Sequence, residues 1–482
     1  MPVVVYCFED RDASLHPPQI ILIEAKAMAY IIKVKACYQN DRTGRTIKLP
    51  ALLTESGLLI SHLRYLAYNS KKSSSWKEKS TQAVKLLVEY INVNAGLFKQ
   101  TTKLLSSFVR ALEEGTIDPR VPIDPTHLFW LPRSSEHCSD LLYLITDYTD
   151  WLARQSDFKI KSANPFRQAT STEQRMNWCA FYSKRNRIFL NHLINPNEHA
   201  EAISTVREIK GPQRPNENIA PAKRFPEDKI GQLINQGFVI AGSGHLGALL
   251  PDYKGRAVTL LMHYGGLRKS EVLHLYLSDI ILDDLNNEAI VRVHHPADGK
   301  SPNEQYTTRR QFLAAHYGQV PRMEYLKTER LHLGWKSPVL DNKDGYFAVK
   351  FFPIDKATEF LENWIKYLKY QRVEPDPTHD HPYAFTNSKG EPETLKNSQR
   401  LHKSAVERIG LLHRKIVGTS EHGHRHSYGY RLREHGFSQI EIQKSMHHRS
   451  PDSCLVYIQP TDEEIRQKMS TSYQDWSTLN SY

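Results

Sequence analysis

The chain has 482 residues, 40% of them hydrophobic and 24% charged, a balance that supports real cores and excludes wholesale disorder. Lysine and arginine number 64 against 53 acids, a net charge of +11 that points to a polyanionic partner, nucleic acid foremost. No apolar run approaches the ~18 residues of a membrane span, and the five scattered cysteines, none in a CxxC pair, exclude a disulfide framework and a thiolate zinc site.

The opening MPVVVYCFED is too short in its apolar part, and too soon acidic, for a signal peptide, so a reducing, cytoplasmic setting is expected. Residues 1–57 read as short strands rich in Val, Ile and Tyr, either a small β module or an arm laid on the next domain. Residues 58–206 turn helical. Val84, Leu87, Val88 and Ile91 fall at i, i+3, i+4, i+7, as do Leu105, Phe108, Val109 and Leu112, and then Leu141, Leu144, Ile145 and Tyr148. Between them KKSSSWKEKS (71–80) reads as a solvated loop. Residues 207–226 hold four prolines and no periodic apolar face, the pattern of an extended linker.

The second half opens with a helix over RAVTLLMHY (256–264) that stops at Gly265-Gly266, and a further helix follows it. IIL and AIVRVHH flank a polar turn and predict a hairpin. A mixed insertion runs to about 335, YFAVKFFPI (346–354) predicts a strand, and 357–370 and 394–410 predict helices. The C-terminal quarter reads as a chain of short helices. Ser438 and Glu441 form a capping box, and Ser450-Pro451 start a short helix that carries Tyr457.

Three segments carry chemistry. GGLRKSEVLHLYLSDI (265–280) sets Arg268 just after a glycine turn, where a guanidinium can meet a phosphate oxygen. HGHRHS (422–427) puts His422 and Arg425 on one face if helical, while His422, His424 and His426 would alternate as metal ligands on a strand; no carboxylate or cysteine of matching spacing lies beside them, so no metal is expected. MHHRSPDSCLVYIQP (446–460) sets His448 nine positions before Tyr457.

In this order the three segments resemble the boxes of the tyrosine recombinase (phage integrase) family. Gly266, Leu267, Arg268, Glu271, Leu275 and Asp279 match the first box; His422, Arg425, His426 and Ser427 match the second, with His424 where leucine is usual. His448 and Tyr457 match the third, with His447 in place of the usual glycine. The resemblance implies a mainly α fold with small β-sheets. Its parts would be an N-terminal β-rich extension (1–57), a helical core-binding, DNA-binding domain (58–206), a linker (207–226), an α+β catalytic domain (227–460) and a C-terminal tail (461–482) that contacts a neighbouring subunit. Ile465, Met469, Tyr473 and Trp476 recur in that tail at roughly helical spacing.

By the same resemblance the protein is a site-specific recombinase of double-stranded DNA, working for a mobile element as a homotetramer on synapsed sites and, when DNA-bound, nucleoid-associated. The implied catalytic residues are Arg268, Lys336, His422, Arg425, His448 and Tyr457. Lys336 is preferred to Lys300 as the hairpin lysine because it directly precedes the strand ending in FFPI.

The residue types suit the reaction the resemblance implies, in which the tyrosine attacks a DNA phosphate to form a 3′-phosphotyrosyl intermediate and release a 5′-hydroxyl. Two permanent cations can grip a phosphate, His448 donates a further hydrogen bond, and His422 is the general base for a phenol of ordinary pKa about 10. A lysine protonates the leaving 5′-oxygen. No GxxxxGK[ST] motif or acidic metal-ligand cluster is present in the sequence, in keeping with a reaction that needs no cofactor. Alternatives are a type IB topoisomerase-like or hairpin-resolving strand transferase, a non-catalytic DNA-binding relative, and a His-rich metalloprotein.

Overall fold

The computed structural model describes residues 31–39, 46–118, 124, 126–157, 161–185, 203–212, 221–241, 249–459, 465–467, 469–470 and 472. The chain forms two compact units, Met1–Pro215 and Asn216–Tyr482. Among the described residues no helix is long and apolar enough to cross a membrane.

The first unit opens with an antiparallel sheet of β1 (Ile32–Gln39), β2 (Thr46–Thr54) and β3 (Gly57–Leu58) in that order, with Ile32 opposite Leu53. Helices α1 (Ile60–Tyr68), α2 (Ser74–Val93), α3 (Thr101–Glu114) and α4 (Ser135–Ala153) follow. Leu49 and Leu52 of the sheet share one core with Leu66, Tyr148 and Trp151 of the helices, so this sheet is part of the helical unit and not a free-standing module. Leu105, Phe108, Val109 and Leu112 are buried as their spacing requires, and so are Leu141, Leu144, Ile145 and Tyr148. Ile91 departs from the pattern: the buried stripe of α2 runs out before it, and it stands 37% exposed.

The stretch 71–80, expected to be a loop, is helical from Ser74. Ser73 takes the N-cap and accepts a hydrogen bond from the Trp76 N–H at 3.2 Å, which starts the helix three residues into the polar run. The prolines of 207–226 also conceal structure. Thr205–Arg207 is a strand, β5, paired with β4 (Phe166–Gln168), with α5 (Ser171–Arg185) between them in sequence. The Ile209 N–H donates to Asn164 Oδ1 at 2.9 Å, and at the far end Phe225 is fully buried. The extended stretch expected there is therefore tied down at both ends.

In the second unit a short helical run at 230–237 precedes the hairpin of β6 (Val239–Ala241) and β7 (Leu249–Pro251). Helix α6 (Tyr253–His263) is followed by α7 (Lys269–Leu273) and by the predicted hairpin of β8 (Ile280–Asp283) and β9 (Glu288–His294). The insertion carries α8 (Arg309–Tyr317). The strand expected over 346–354 is only Tyr346–Ala348, here β10, paired with β9 so that Phe347 faces Val293; Pro353, which has no N–H to give a ladder, follows shortly after. Helices α9 (Lys356–Tyr370), α10 (Leu395–Arg408), α11 (Glu421–Glu434), α12 (Gln439–Ser445) and α13 (Leu455–Ile458) complete the unit. Of the tail, Ile465 and Met469 are exposed, and Tyr473 and Trp476 lie outside the described residues.

One ion pair ties the insertion to this core. Arg309 and Asp279 are each 1% exposed, and Arg309 Nη1 donates to Asp279 Oδ2 at 2.9 Å. The same oxygen accepts the Tyr276 backbone N–H at 2.8 Å. Burial would raise the Asp279 carboxyl, but Arg309 and His294 hold it below the usual carboxylate range. Asp279→Asn leaves a buried guanidinium without its countercharge, so it should destabilise the second unit by about 3–5 kcal/mol. Urea unfolding followed by tryptophan fluorescence measures this; a midpoint unchanged from that of the parent chain would refute it.

Candidate active site

The three segments meet at the buried side of α11. Gly266 has φ +67, and a Cβ there would lie 2.4 Å from the Tyr428 ring, so both the backbone turn and the packing require glycine. The turn delivers Arg268 to the start of α7 in an extended conformation, where Glu271 fixes it twice. The Arg268 backbone N–H donates to Glu271 Oε2 at 2.8 Å, and Arg268 Nη1 donates to Oε1 at 2.6 Å. Glu271 itself is 1% exposed.

His422, Arg425 and His426 lie at i, i+3 and i+4 of α11 and therefore on one face. Arg425 is almost completely buried. Its Nη1 donates to the Gly266 carbonyl and its Nη2 to the Met446 carbonyl at 2.6 Å, and Glu271 Oε2 is 3.9 Å away. One guanidinium thus joins all three segments.

His447 follows Met446 with φ +53, the left-handed conformation that glycine adopts without strain, and it stacks on Phe347 with ring centroids 3.9 Å apart. The bend brings His448 round so that its Nδ1 is 3.2 Å from Cys454 Sγ. The short helix at Tyr457 is built as its sequence suggests: Ser450 accepts the Asp452 N–H, a 3₁₀ turn spans Pro451–Cys454, and α13 carries Tyr457.

Arg268, Lys336, His422, Arg425, His448 and Tyr457 all line one cleft of about 960 Å³. Lys300, the other candidate, is not among its lining residues and lies 3.9 Å from Asp344. The structure also shows contacts that sequence reasoning missed. The Tyr457 hydroxyl is within hydrogen-bond distance of Nδ1 of His426, at 3.1 Å. The rings of His422 and His426 are 4.4 Å apart, one turn along the same face. Gly429 gives Tyr457 its seat, because a Cβ there would sit 2.9 Å from the phenol ring. The run HGHRHSYGY contains both His426 and Gly429, but only the docking of α13 on α11 shows what they touch.

Burial dominates the electrostatics. It pushes the Tyr457 phenol up to about 12, with Arg425 and Arg268 pulling the other way. It lowers His426 to about 4, helped by Arg425 and Lys415. His448 falls to about 3 through burial and the two arginines, and Arg425 itself falls to about 10 through burial and Arg268. Burial thus keeps the Tyr457 phenol and the imidazoles of His426 and His448 neutral at neutral pH, while Arg425 stays charged beside them.

Residues 341–464 match the model of the phage integrase family. The matched segment contains His422, Arg425, His448 and Tyr457 and leaves Arg268 and Lys336 outside it. Among curated proteins the chain is 28% identical over 161 residues to transposase B of transposon PsiTn554 from Staphylococcus aureus, covering 30% of this chain and 24% of that protein. To transposase B of Tn554 from S. aureus strain Mu50 it is 27% identical over 161 residues, with the same coverage. The chain thus spans about a quarter of the length of these relatives. Among solved structures it is similar to the XerH site-specific recombinase bound to a palindromic difH substrate (12% identity, TM-score 0.46, covering 82% of this chain and 78% of that one). It is similar also to the integrase of transposon Tn1549 in complex with circular intermediate DNA (15% identity, TM-score 0.31, covering 81% and 99%).

If Arg425 holds the three segments together, its removal costs fold as well as charge. Arg425→Ala should destabilise the second unit by about 3–5 kcal/mol, since it strands the buried Glu271 and two carbonyl oxygens. Arg425→Lys should recover only part of that, because an ammonium keeps the charge but lacks the planar fork. Denaturant titration of the three proteins decides; an alanine variant as stable as the parent would show that the segments assemble without it.

Proposed function

We propose that the protein is a site-specific DNA recombinase of a mobile element that cuts and rejoins DNA through a 3′-phosphotyrosyl intermediate. The observation that carries this reading is the convergence of Arg268, Arg425, Lys336, the imidazoles of His422, His426 and His448, and the buried Tyr457 on a single cleft. Arg268 and Arg425 would hold the non-bridging oxygens of a phosphodiester, and His448, oriented by Cys454, would donate a third hydrogen bond. The Tyr457 oxygen attacks phosphorus, the bond from phosphorus to the 5′-oxygen breaks, and Lys336 supplies the proton that the leaving oxygen takes up.

The proton of Tyr457 needs an acceptor. His426 is the one in contact; His422, the base named from sequence, lines the same cleft one turn away and is assigned to the phosphate. In the resting protein burial, then Arg425 and Lys415, depress His426. A bound phosphodiester brings negative charge beside these cations and makes the imidazole a better base. The reverse reaction, attack by a 5′-hydroxyl from another strand, rejoins DNA without loss of ester bond energy.

Support for the mobile-element role comes from the transposases similar to this chain. The helical region 58–206 is proposed to supply further duplex contacts, a homotetramer on two sites to perform the exchange, and the tail from 461 to link neighbouring protomers.

A nicked substrate whose short 3′ segment diffuses away after cleavage traps the adduct. Tyr457→Phe removes one hydroxyl and should bind this DNA as tightly as the parent yet form no covalent complex on denaturing gels. Adduct formation by the Phe variant would overturn the assignment. The lysine role is separable. On a substrate with a 5′-bridging sulfur, which leaves without protonation, Lys336→Ala should cleave at close to the parent rate while remaining slow on ordinary DNA. Lys300→Ala should behave like the parent on both. Rescue of Lys300→Ala instead would move the acid to Lys300.

A further inference from the structure

Beside the cleft, and sharing Glu421 with its lining, lies a second cluster of chemistry-bearing side chains. His402 on α10, His413 in the loop after it and Glu421, the first residue of α11, each offer a donor atom, and the three atoms lie within 4.8 Å of one another. His402 is 3% exposed and Glu421 4%. Nδ1 of His402, Nε2 of His413 and Oε1 of Glu421 are buried without any hydrogen-bond partner. His413 Nε2 stands 3.7 Å from Glu421 Oε2, too far for a hydrogen bond; leaving three buried polar atoms without one is costly, and a native fold rarely does so without a reason.

The outer surroundings have the form of a metal site. His402 Nε2 is 2.8 Å from Nε2 of His424, whose Nδ1 is 3.1 Å from Nδ1 of His263. His263 Nε2 in turn lies 3.2 Å from Glu227 Oε2 and 2.6 Å from Arg431 Nη2. Each imidazole-to-imidazole contact needs one N–H and one lone pair, so the protons run along the chain in one direction or the other. Arg431 can only donate, so its 2.6 Å contact makes His263 Nε2 an acceptor when no ion is bound; an ion at His402 Nδ1 requires the opposite order, in which His263 donates to Glu227, His424 to His263 and His402 to His424. A histidine whose other nitrogen donates toward a carboxylate is the usual support of a metal ligand. His424 stands where the family has leucine, and Phe225 stacks on it at 4.4 Å. Lys269 lies 3.8 Å from Glu421 Oε2 and so faces the carboxylate oxygen other than the unpartnered Oε1.

We propose that His402, His413 and Glu421 bind a divalent transition-metal ion of the zinc class, with water as fourth ligand, as a structural pin at the start of α11. Two imidazoles and a carboxylate are a set that suits zinc. Bonds of about 2.1 Å put tetrahedral ligands about 3.4 Å apart, so the donors must draw together, and His413, on a loop and only half-buried, is free to do so. Sequence reasoning sought a metal among His422, His424 and His426; this cluster draws on residues that only the fold brings together. The ion takes no part in phosphoryl transfer, and the proposal stands or falls without reference to DNA.

The test is Co²⁺ titration of the full, tag-free chain after chelator treatment. The expected result is one equivalent bound, with the intense visible bands of four-coordinate cobalt, bleached by Zn²⁺. His413→Ala and Glu421→Gln, each checked for native circular dichroism, should weaken this binding at least ~100-fold, and His424→Leu, which removes only the support, should weaken it about tenfold. The chain has 23 histidines, so weak adventitious binding is a real outcome. Absence of the four-coordinate spectrum in the parent, or a spectrum and affinity that survive His413→Ala, overturns the proposal.

Discussion

The Arg425 guanidinium is the contact on which the candidate site in the second unit depends. Buried inside the fold, it donates to a carbonyl from the turn before α7 and to another from the end of α12, while standing on the helix that carries His422 and His426. A buried charge is tolerated only when its donors are satisfied and a countercharge is near. Here Glu271 provides that countercharge and orients Arg268 as well. Distant stretches of sequence are thus locked together by the electrostatic demands of one side chain. The residues proposed to touch a phosphate are placed by the same bonds that make the unit fold.

The surroundings set the resting state. Tyr457 is deeply buried, so its phenol is harder to ionise than in water, although two guanidinium groups act against that. The imidazoles around it are held neutral by burial and by Arg425, with Lys415 acting on His426 and Arg268 on His448. Under the proposed function, a nucleophile in this state would stay inert until something anionic entered, and the substrate itself would complete the charge balance.

Much of the site was legible in the sequence because its chemistry depends on residue type at fixed local spacing. Arg268 after a glycine turn, His422 and Arg425 one helical turn apart, and Tyr457 on a short capped helix are all local patterns. What could not be read were distances between segments. That His426 and not His422 meets the Tyr457 hydroxyl depends on how α13 docks on α11. That Lys336 lines the cleft and Lys300 does not depends on how the insertion folds back, held by Arg309 on Asp279. The buried histidine chain from His402 to His263 joins three helices that no periodicity connects. In the first unit the helical stripes were readable from spacing, whereas a single serine cap moved the start of α2 into what looked like a loop. The short β4–β5 pairing hid among residues of helical and linker composition, because three-residue strands carry too little pattern to read.

The central claim is that the Tyr457 oxygen becomes covalently joined to DNA at phosphorus. The most direct measurement is mass spectrometry of a trapped protein–DNA complex after digestion with protease and nuclease. The account predicts a nucleotide remnant attached through its 3′-phosphate to the peptide that contains Tyr457, with the fragmentation series placing it on that tyrosine. A remnant on any other side chain of the cleft, Ser453 included, or a linkage through a 5′-phosphate, would contradict it.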